Sequence, residues 1–359
     1  MGVMGVITLD VGTTLTKGGR NGQLLMDTSN PDAPVPLLIP SFYGIDKRTK
    51  GSLFKQVRVF VGQEARVKHE RTTDDYEITR IMKDAKFTNH IHTTDYLKYL
   101  RDTHFGGGKS LGVMHDKLIT AVPPGFTQED INNTKDMLTR VFKGQLTMVS
   151  QSFAAAVACD PEMTESPLTM VCDIGGGSSD ISIYIQDGLL YSKTSYKAGD
   201  SFDQSIVDMV KTKYSVEIDL AKAEGAKIKS GIAIKPEEFK GERPASSKVS
   251  GTGQAGTARA VAVVTPEDTF EALDDPLKQI ERMIEIGIDQ VPKGLRDELV
   301  ERGCFLTGAS SQLRGLDQRF EKRFGIKFTV PEIAPYAVIH GLLEIAKRPD
   351  PLLRISQLN

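Results

Sequence analysis

Apolar positions fall along this chain in two rhythms. Short unbroken runs with β-branched residues mark strands: Val6-Ile7-Thr8-Leu9, Leu118-Ile119-Thr120-Ala121-Val122, Leu168-Thr169-Met170-Val171-Cys172 and Cys304-Phe305-Leu306-Thr307. Between them, stripes at helical spacing mark helices. Thr127 and Asp130 open one in capping-box fashion, with Ile131, Met137, Leu138 and Val141 along it. Phe202, Ile206, Met209, Val210 and Tyr214 lie on one face of a second. A third is expected to begin at Asp274-Asp275-Pro276 and to carry Leu277, Ile280, Met283, Ile284 and Ile288, with Pro276 in its first turn. After Gly308-Ala309-Ser310-Ser311 a fourth is expected through Leu313, Leu316, Phe320 and Phe324 to Gly325. Strands alternating with helices predict an α/β architecture.

Two of the strands run into short glycine-rich turns opened by an aspartate. The first turn is DVGTTLTK, Asp10 to Lys17; the second is DIGGGSSD, Asp173 to Asp180. Ile181, Ile183 and Ile185 resume a strand after the second, so each reads as strand, tight turn, strand. Glycine in such a turn is expected to supply positive φ and to let backbone N–H groups converge on an anion. The leading aspartates are suited to hold a hard cation such as magnesium through water. One such turn says little, but two roughly half a chain apart predict a phosphate–metal clamp made by related halves.

Bulk properties narrow the class. The 359 residues suffice for about two domains. Charged residues make up 26% and the formal net charge is −2, so no global basic field recruits nucleic acid. Cys159, Cys172 and Cys304 are far apart and show no CxxC spacing, which predicts small buried residues rather than a metal or disulfide framework. No apolar run reaches the ~18 residues that suggest a membrane span. The start, MGVMGVITLD, lacks a signal peptide's charged region, and Val6 stands where myristoylation needs Ser or Thr; it reads as a first strand. Gly241 to Thr257 is polar and glycine-rich and reads as a mobile surface excursion. Phe105-Gly106-Gly107-Gly108-Lys109-Ser110 invites a phosphate-loop reading, but Thr103 stands where that motif needs glycine, so a flexible loop is expected. His90 and His92 are expected on a solvated surface segment.

Six separated motifs then fall in a known order. Besides the two turns they are Val149-Ser150-Gln151-Ser152-Phe153-Ala154 and on to Asp160, Ala198-Gly199-Asp200-Ser201-Phe202-Asp203 followed by Ala223 to Gly231, and Leu306-Thr307-Gly308-Ala309-Ser310-Ser311 to Asp317; Ala337 to Ala346 closes the set. From Met4 to about Ala346 the chain resembles the bacterial actins, most closely the MreB-type cytoskeletal proteins of the actin, sugar kinase and heat-shock chaperone superfamily.

The resemblance implies an actin-like ATPase fold: two related domains flanking a nucleotide cleft, each with a smaller inserted subdomain. It places domain I at residues 1–150 with 333–359 (insertion at about 34–76) and domain II at residues 151–332 (insertion at about 215–270). ATP or ADP with Mg2+ is the implied cofactor. Gly12, Thr13 and Thr14 would cup the phosphates from one side, with Lys17 touching them, and Gly175, Gly176 and Gly177 from the other. Asp10 and Asp173 would hold the metal through its waters. Gln151 would orient the attacking water and Asp180 would be a second water-positioning group. Glu224 and Lys227, one helical turn apart, would meet the ribose and base, and Gly308, Ala309 and Ser310 the adenosine. Each has an ordinary alternative: Asp10 and Asp180 as turn carboxylates, Gln151 as a polar helix start, Glu224 with Lys227 as a surface ion pair worth well under ~1 kcal/mol.

This sequence departs from the MreB pattern at three places. Gln151 replaces the usual glutamate, and glutamine orients water without taking a proton. Lys17 stands where actins and ParM-type proteins have a lysine and MreB proteins do not. Ala309 replaces a glycine, where its methyl would crowd or tilt the purine. No amphipathic membrane helix fits before Val6, which leaves direct membrane binding open. The implied activity is a filament-forming cytoplasmic, cytoskeletal ATPase for cell shape or intracellular positioning. Its main partner is itself, with adaptor or membrane-associated proteins beside it. The alternatives are a plasmid- or organelle-positioning filament and, from another class, a metabolic kinase of the same fold. A chaperone ATPase is disfavoured because the chain ends soon after the last shared helix.

Overall fold

The computed structural model describes residues 5–29, 34–50, 57–70, 74–106, 116–186, 188–253 and 259–353. The chain divides into two units, Met1–Thr164 with Ala337–Asn359, and Glu165–Tyr336.

The principal elements of the first unit are β1 (Val6–Val11), β2 (Leu15–Arg20), β3 (Phe42–Asp46), β4 (Val59–Val61), β5 (Tyr76–Arg80), α1 (His90–His104), β6 (Lys117–Val122), α2 (Gln128–Phe142), β7 (Leu146–Ser150) and α3 (Gln151–Cys159), with a further helix at Ala337–Lys347. On β1, Ile7, Leu9 and Val11 are buried on one face and Thr8 and Asp10 on the other. Burial on both faces requires a central strand. It pairs in parallel with β6 and antiparallel with β2, and β6 pairs in parallel with β7. The apolar faces of α1 and α2 close one side of the sheet, through Tyr96, Leu97, Leu100, Met137, Leu138 and Val141. Beside it lies a small antiparallel sheet in the order β4-β3-β5.

α3 and the Ala337–Lys347 helix pack together through small residues. Ala154, Ala155 and Ala156 are fully buried, and a Cβ on Gly341 would overlap the Ala154 carbonyl.

The second unit carries β8 (Leu168–Ile174), β9 (Ser179–Ile185), β10 (Gly188–Ser195), α4 (Gly199–Tyr214), β11 (Val216–Glu217), α5 (Leu220–Ser230), β12 (Ser247–Gly253), β13 (Arg259–Val264), α6 (Pro266–Gln290), β14 (Cys304–Thr307), α7 (Leu316–Phe324) and β15 (Phe328–Thr329). Its main sheet runs β10-β9-β8-β14-β15, with β8 and β14 parallel and β8 and β9 antiparallel. Every residue of β8 is buried. Phe202, Ile206 and Val210 of α4, Leu277, Ile280 and Ile284 of α6, and Phe320 of α7 belong to its core. A second small sheet, β11-β12-β13, accompanies it. Cys172 and Cys304 are buried, as expected from the sequence, and Cys159 is half-buried.

Several expectations from the sequence need correction. The third helix starts at Pro266, not at Asp274. Thr265 and Asp268 cap each other reciprocally there, with proline in the first turn, and this outcompetes the weaker signal at Pro276. Pro276 instead sits buried inside the helix, which continues past it because Leu273, Leu277 and Ile280 bury its face. The fourth helix begins at Leu316, because Ala309–Gln312 forms a separate 3₁₀ turn ahead of it. The Gly241–Thr257 excursion is partly a strand: Ser247–Gly253 is β12, anchored by buried Val249 across from Ala262. Residues 254–257 lie outside the described residues, as do Gly107–Ser110 of the other glycine-rich loop. His92 is not solvated. It lies buried on α1 with Nδ1 2.6 Å from Thr79 Oγ1 and its ring beside Tyr43, whereas His90 is exposed.

The close approach at Gly341 leaves no room for a side chain between these two helices. Gly341→Ala should lower stability by about 1–3 kcal/mol, read as a lower urea midpoint with an unchanged slope.

Candidate functional site

In each unit an aspartate lies near the carboxyl end of a buried central strand, on the sheet edge where ligands of parallel α/β sheets bind. In the first unit this edge holds Asp10 on β1, and Ser150 at the end of β7 leads into Gln151, the first residue of α3. Gln151 is buried. In the second unit Asp173 on β8 is in register with Thr307 on β14, after which the chain turns at Gly308.

The two turns share one closure. Gly12 N–H donates to the Leu15 carbonyl at 3.1 Å, and Gly175 N–H to the Ser178 carbonyl at 2.9 Å. Neither glycine has positive φ, contrary to the expectation from sequence. At Gly12 the requirement is space, since a Cβ would stand 2.7 Å from the Leu15 carbonyl oxygen. Beyond each turn the ladder resumes at Val11–Thr16 and Ile174–Ser179, and the next rung sets Asp10 opposite Lys17 and Asp173 opposite Asp180.

Protein donors hold the carbonyls of both turns. In the first, Ser41 Oγ donates to the Gly12 carbonyl (2.7 Å) and Ser41 N–H to that of Thr14 (3.0 Å). Arg80, at the end of β5, donates through Nε to the Thr13 carbonyl (3.1 Å) and through Nη2 to Thr14 Oγ1 (3.3 Å). In the second, the Gly175 carbonyl accepts from Gly199 N–H (3.1 Å) and Ser310 Oγ (2.7 Å), and the Gly176 carbonyl from Asp200 N–H (2.7 Å). A turn whose carbonyls are tied back in this way is left to meet an anion with its N–H groups, as in an anion-binding nest.

The carboxylates are tightly held. Lys17 Nζ lies 3.0 Å from Asp10 Oδ2, both largely shielded from solvent. Asp173 Oδ1 accepts from Thr307 Oγ1 at 2.7 Å. Asp180 is fully buried and accepts from Ser178 Oγ (2.9 Å) and Thr194 Oγ1 (2.5 Å). Burial pushes its carboxyl up to about 7, the Asp173 charge adds to the rise, and the two hydroxyls oppose it.

The remaining candidates gather around the start of α4. Lys227, largely shielded from solvent, is anchored at the start of α4. Its Nζ lies 2.8 Å from Asp203 Oδ1 and donates to the Gly199 carbonyl at 3.3 Å. Burial raises the Asp203 carboxyl to about 6; Lys227 pulls it down, and Glu224 and Asp200 push it up. Gly308 has φ +79° and no room for a Cβ against the Ile174 carbonyl, so this position requires glycine. Ala309, by contrast, is exposed and opens a 3₁₀ turn, a conformation that admits its methyl without backbone strain.

Thus Gly175, Gly176, Asp173, Asp180, Lys227, Gly308 and Ser310 belong to one connected network in the second unit, and Gly12, Thr13, Thr14, Lys17 and Asp10 to another in the first. Ser41, Arg80, Thr194, Asp203 and Thr307 are the participants that sequence reasoning did not assign. Among them Asp203 and Thr307 lay inside quoted motifs. Among the described residues no cluster of three or more His, Cys, Asp or Glu could hold a metal by itself. The donors present, carboxylates and hydroxyls, are the hard oxygens that suit magnesium held through its waters. No described helix is long and apolar enough to cross a membrane.

Comparison with known proteins identifies the family and the fold. Residues 35–353 match the family model described as MreB/Mbl protein. The cell shape-determining protein MreB of Escherichia coli (strain K12) is 27% identical over 282 residues, covering 78% of this chain and 79% of that protein. The crystal structure of MreB 5 of Spiroplasma citri bound to AMPPNP superposes with a TM-score of 0.81 at 19% identity, covering 97% of each chain. A MamK double helical filament superposes at 0.76 and 17% identity, covering 96% of this chain and 99% of that one.

Asp180 gives a stability test. Its folded-state pKa lies above the unfolded value, so the native state binds more protons between about pH 4 and 7. Its contribution to stability is therefore greatest in acid and is lost as pH rises through about 7. Asp180→Asn should flatten the fall in urea midpoint between pH 5 and 8, leaving the smaller slope from Asp203. An unchanged slope would show that Asp180 is ionised throughout.

Proposed function

The chain belongs to the MreB/Mbl family, and from that premise we propose that it is an ATP-binding, ATP-hydrolysing actin homologue that assembles into cytoskeletal filaments serving cell shape or intracellular positioning. The observation that carries this reading is the duplicated turn: two aspartate-led strand ends, each closed by a glycine N–H and each with its carbonyls tied back by protein donors. Both turns would serve the phosphates of one adenine nucleotide. The MreB 5 structure of Spiroplasma citri bound to AMPPNP, which shares this fold, supports the choice of ligand.

Phosphoryl transfer asks mainly for positioning and charge neutralisation. Backbone N–H groups from Gly12 to Thr14 and from Gly175 to Gly177 would bind the phosphates, with Lys17 adding a cation. Asp10 and Asp173 would hold magnesium through water, and the metal would neutralise phosphate charge. Gln151 would orient the attacking water without becoming its base, because an amide accepts and donates hydrogen bonds but takes no proton. Asp180, poised near neutrality by burial, is the group suited to exchange a proton with that water's network. Glu224 and Lys227 would meet the ribose and base, Lys227 steadied by Asp203. Gly308, Ala309 and Ser310 would flank the adenosine. Self-association is the expected partnership, as the MamK filament has for the same fold.

Right-angle light scattering and sedimentation with magnesium and ATP, ADP or no nucleotide test the proposal. ATP should give pelletable filaments visible by negative stain, and Asp10→Ala or Asp173→Ala should abolish them. ATP binding and turnover without assembly, across salt and protein concentration, would defeat the filament reading. Turnover that rises with an added sugar would point to a kinase.

A further inference from the structure

Asp203 stands one turn into α4 and is buried. A buried carboxylate stays charged only when a partner answers it, and here the partner comes from another helix. Lys227 of α5 has its Nζ 2.8 Å from Asp203 Oδ1, with 15% and 10% of the two side chains exposed. A lysine stem is flexible and its ammonium is a compact point charge, so a carboxylate fixed on a helix decides where that charge rests.

The same ammonium donates to the Gly199 carbonyl at 3.3 Å. Gly199 is a crossing point. Its N–H donates to the Gly175 carbonyl of the second glycine turn (3.1 Å), which also accepts from Ser310 Oγ (2.7 Å). A Cβ on Gly199 would stand 2.8 Å from Ser310 Oγ and 3.2 Å from the Gly175 carbonyl oxygen. A chain of polar contacts therefore runs from Asp203 through Lys227 and Gly199 to Gly175 and Ser310, all of it within the second unit.

We infer that Asp203 is a positioning residue for the nucleoside end of the ligand: it sets the resting place of Lys227 against the Gly199 carbonyl, and so holds this unit's nucleoside contacts in one piece with its glycine turn. The inference rests on the nucleotide reading above and adds to it a residue that acts through Lys227. Mild acid should loosen the grip. Ionised, Asp203 holds the ammonium; protonated, it has no charge with which to hold it. Burial raises the Asp203 carboxyl to about 6; Lys227 opposes the rise, and Glu224 of α5 and Asp200 of α4 add to it. The ionised form, and the grip with it, is present above about pH 6 and is lost as pH falls through that value.

Two dissociation constants of the full-length protein test this, one for a fluorescent ADP analogue and one for inorganic pyrophosphate that displaces it. Pyrophosphate offers the phosphates without the nucleoside. Asp203→Asn should weaken the analogue about tenfold, the scale of one hydrogen bond to a charged group, and pyrophosphate by less than about twofold. Lys227→Ala should do the same, and the double variant should be no more than about twofold worse than either, because both remove one contact. Between about pH 7.5 and about pH 5.5 the wild-type preference for the analogue over pyrophosphate should fall about threefold, and either variant should flatten that fall. The Lys227→Ala comparison decides the matter where Asp203→Asn does not fold. Equal weakening of both ligands would show a merely structural role and overturn the inference. So would an unchanged analogue affinity in Asp203→Asn, additive losses in the double variant, or a pH profile that the variants share with the wild type. Wild-type protein that binds neither ligand would instead overturn the nucleotide reading itself.

Discussion

The closure of a tight turn between two buried antiparallel strands is the constraint on which this structure depends. β1 and β8 are buried on both faces, and each is followed at once by an antiparallel neighbour, β2 and β9. A single N–H to carbonyl bond, from Gly12 to Leu15 and from Gly175 to Ser178, closes the turn between them. The turn then projects from the carboxyl edge of the sheet with its aspartate fixed at the strand end. Rigid strands hold that carboxylate more tightly than a free loop could, which is what a site built on positioning requires.

The constraint also organises what surrounds the turns. Their carbonyls need donors, and the fold supplies them from distant segments: Ser41 and Arg80 in the first unit, the first residues of α4 and Ser310 in the second. Each donor fixes the position of its own element. Arg80 thereby ties the end of the small β4-β3-β5 sheet to the first turn. The start of α4, bound to the second turn, carries Asp203, which in turn meets Lys227 on α5. Removing one member of such a buried charged pair leaves the other uncompensated, at a typical cost of about 3–5 kcal/mol. Stability and the candidate site thus draw on the same contacts.

Burial sets the chemistry of the carboxylates more than their neighbours in sequence do. Asp180 and Asp203 are both raised, primarily by desolvation, and differ in what opposes it: hydroxyls for Asp180, an ammonium for Asp203. Asp46 shows the opposite case, held at about 2 chiefly by the Arg48 guanidinium. One residue type spans this range because low dielectric penalises charge unless a cation or donors answer it.

Local physics was enough to determine much of this protein from its sequence. Apolar runs gave β1, β6, β8 and β14; Thr127 and Asp130 gave the start of α2; and the two aspartate–glycine turns gave the candidate site, because strand, turn and cap signals act over a few residues. Where two local signals competed, sequence reading failed: Thr265-Pro266 prevailed over Asp274-Asp275-Pro276 through reciprocal capping that the spacing alone does not rank. Glycine at position 12 was legible, but its reason was not, since the nearby Leu15 carbonyl rather than positive φ excludes a side chain. Only the tertiary structure could bring Ser41 and Arg80 to the first turn, bury His92 against Thr79, give Lys227 to Asp203 and place Lys17 on Asp10. Most of those pairings cross many residues of sequence, and their partners are chosen by strand register and helix packing, which no local pattern encodes.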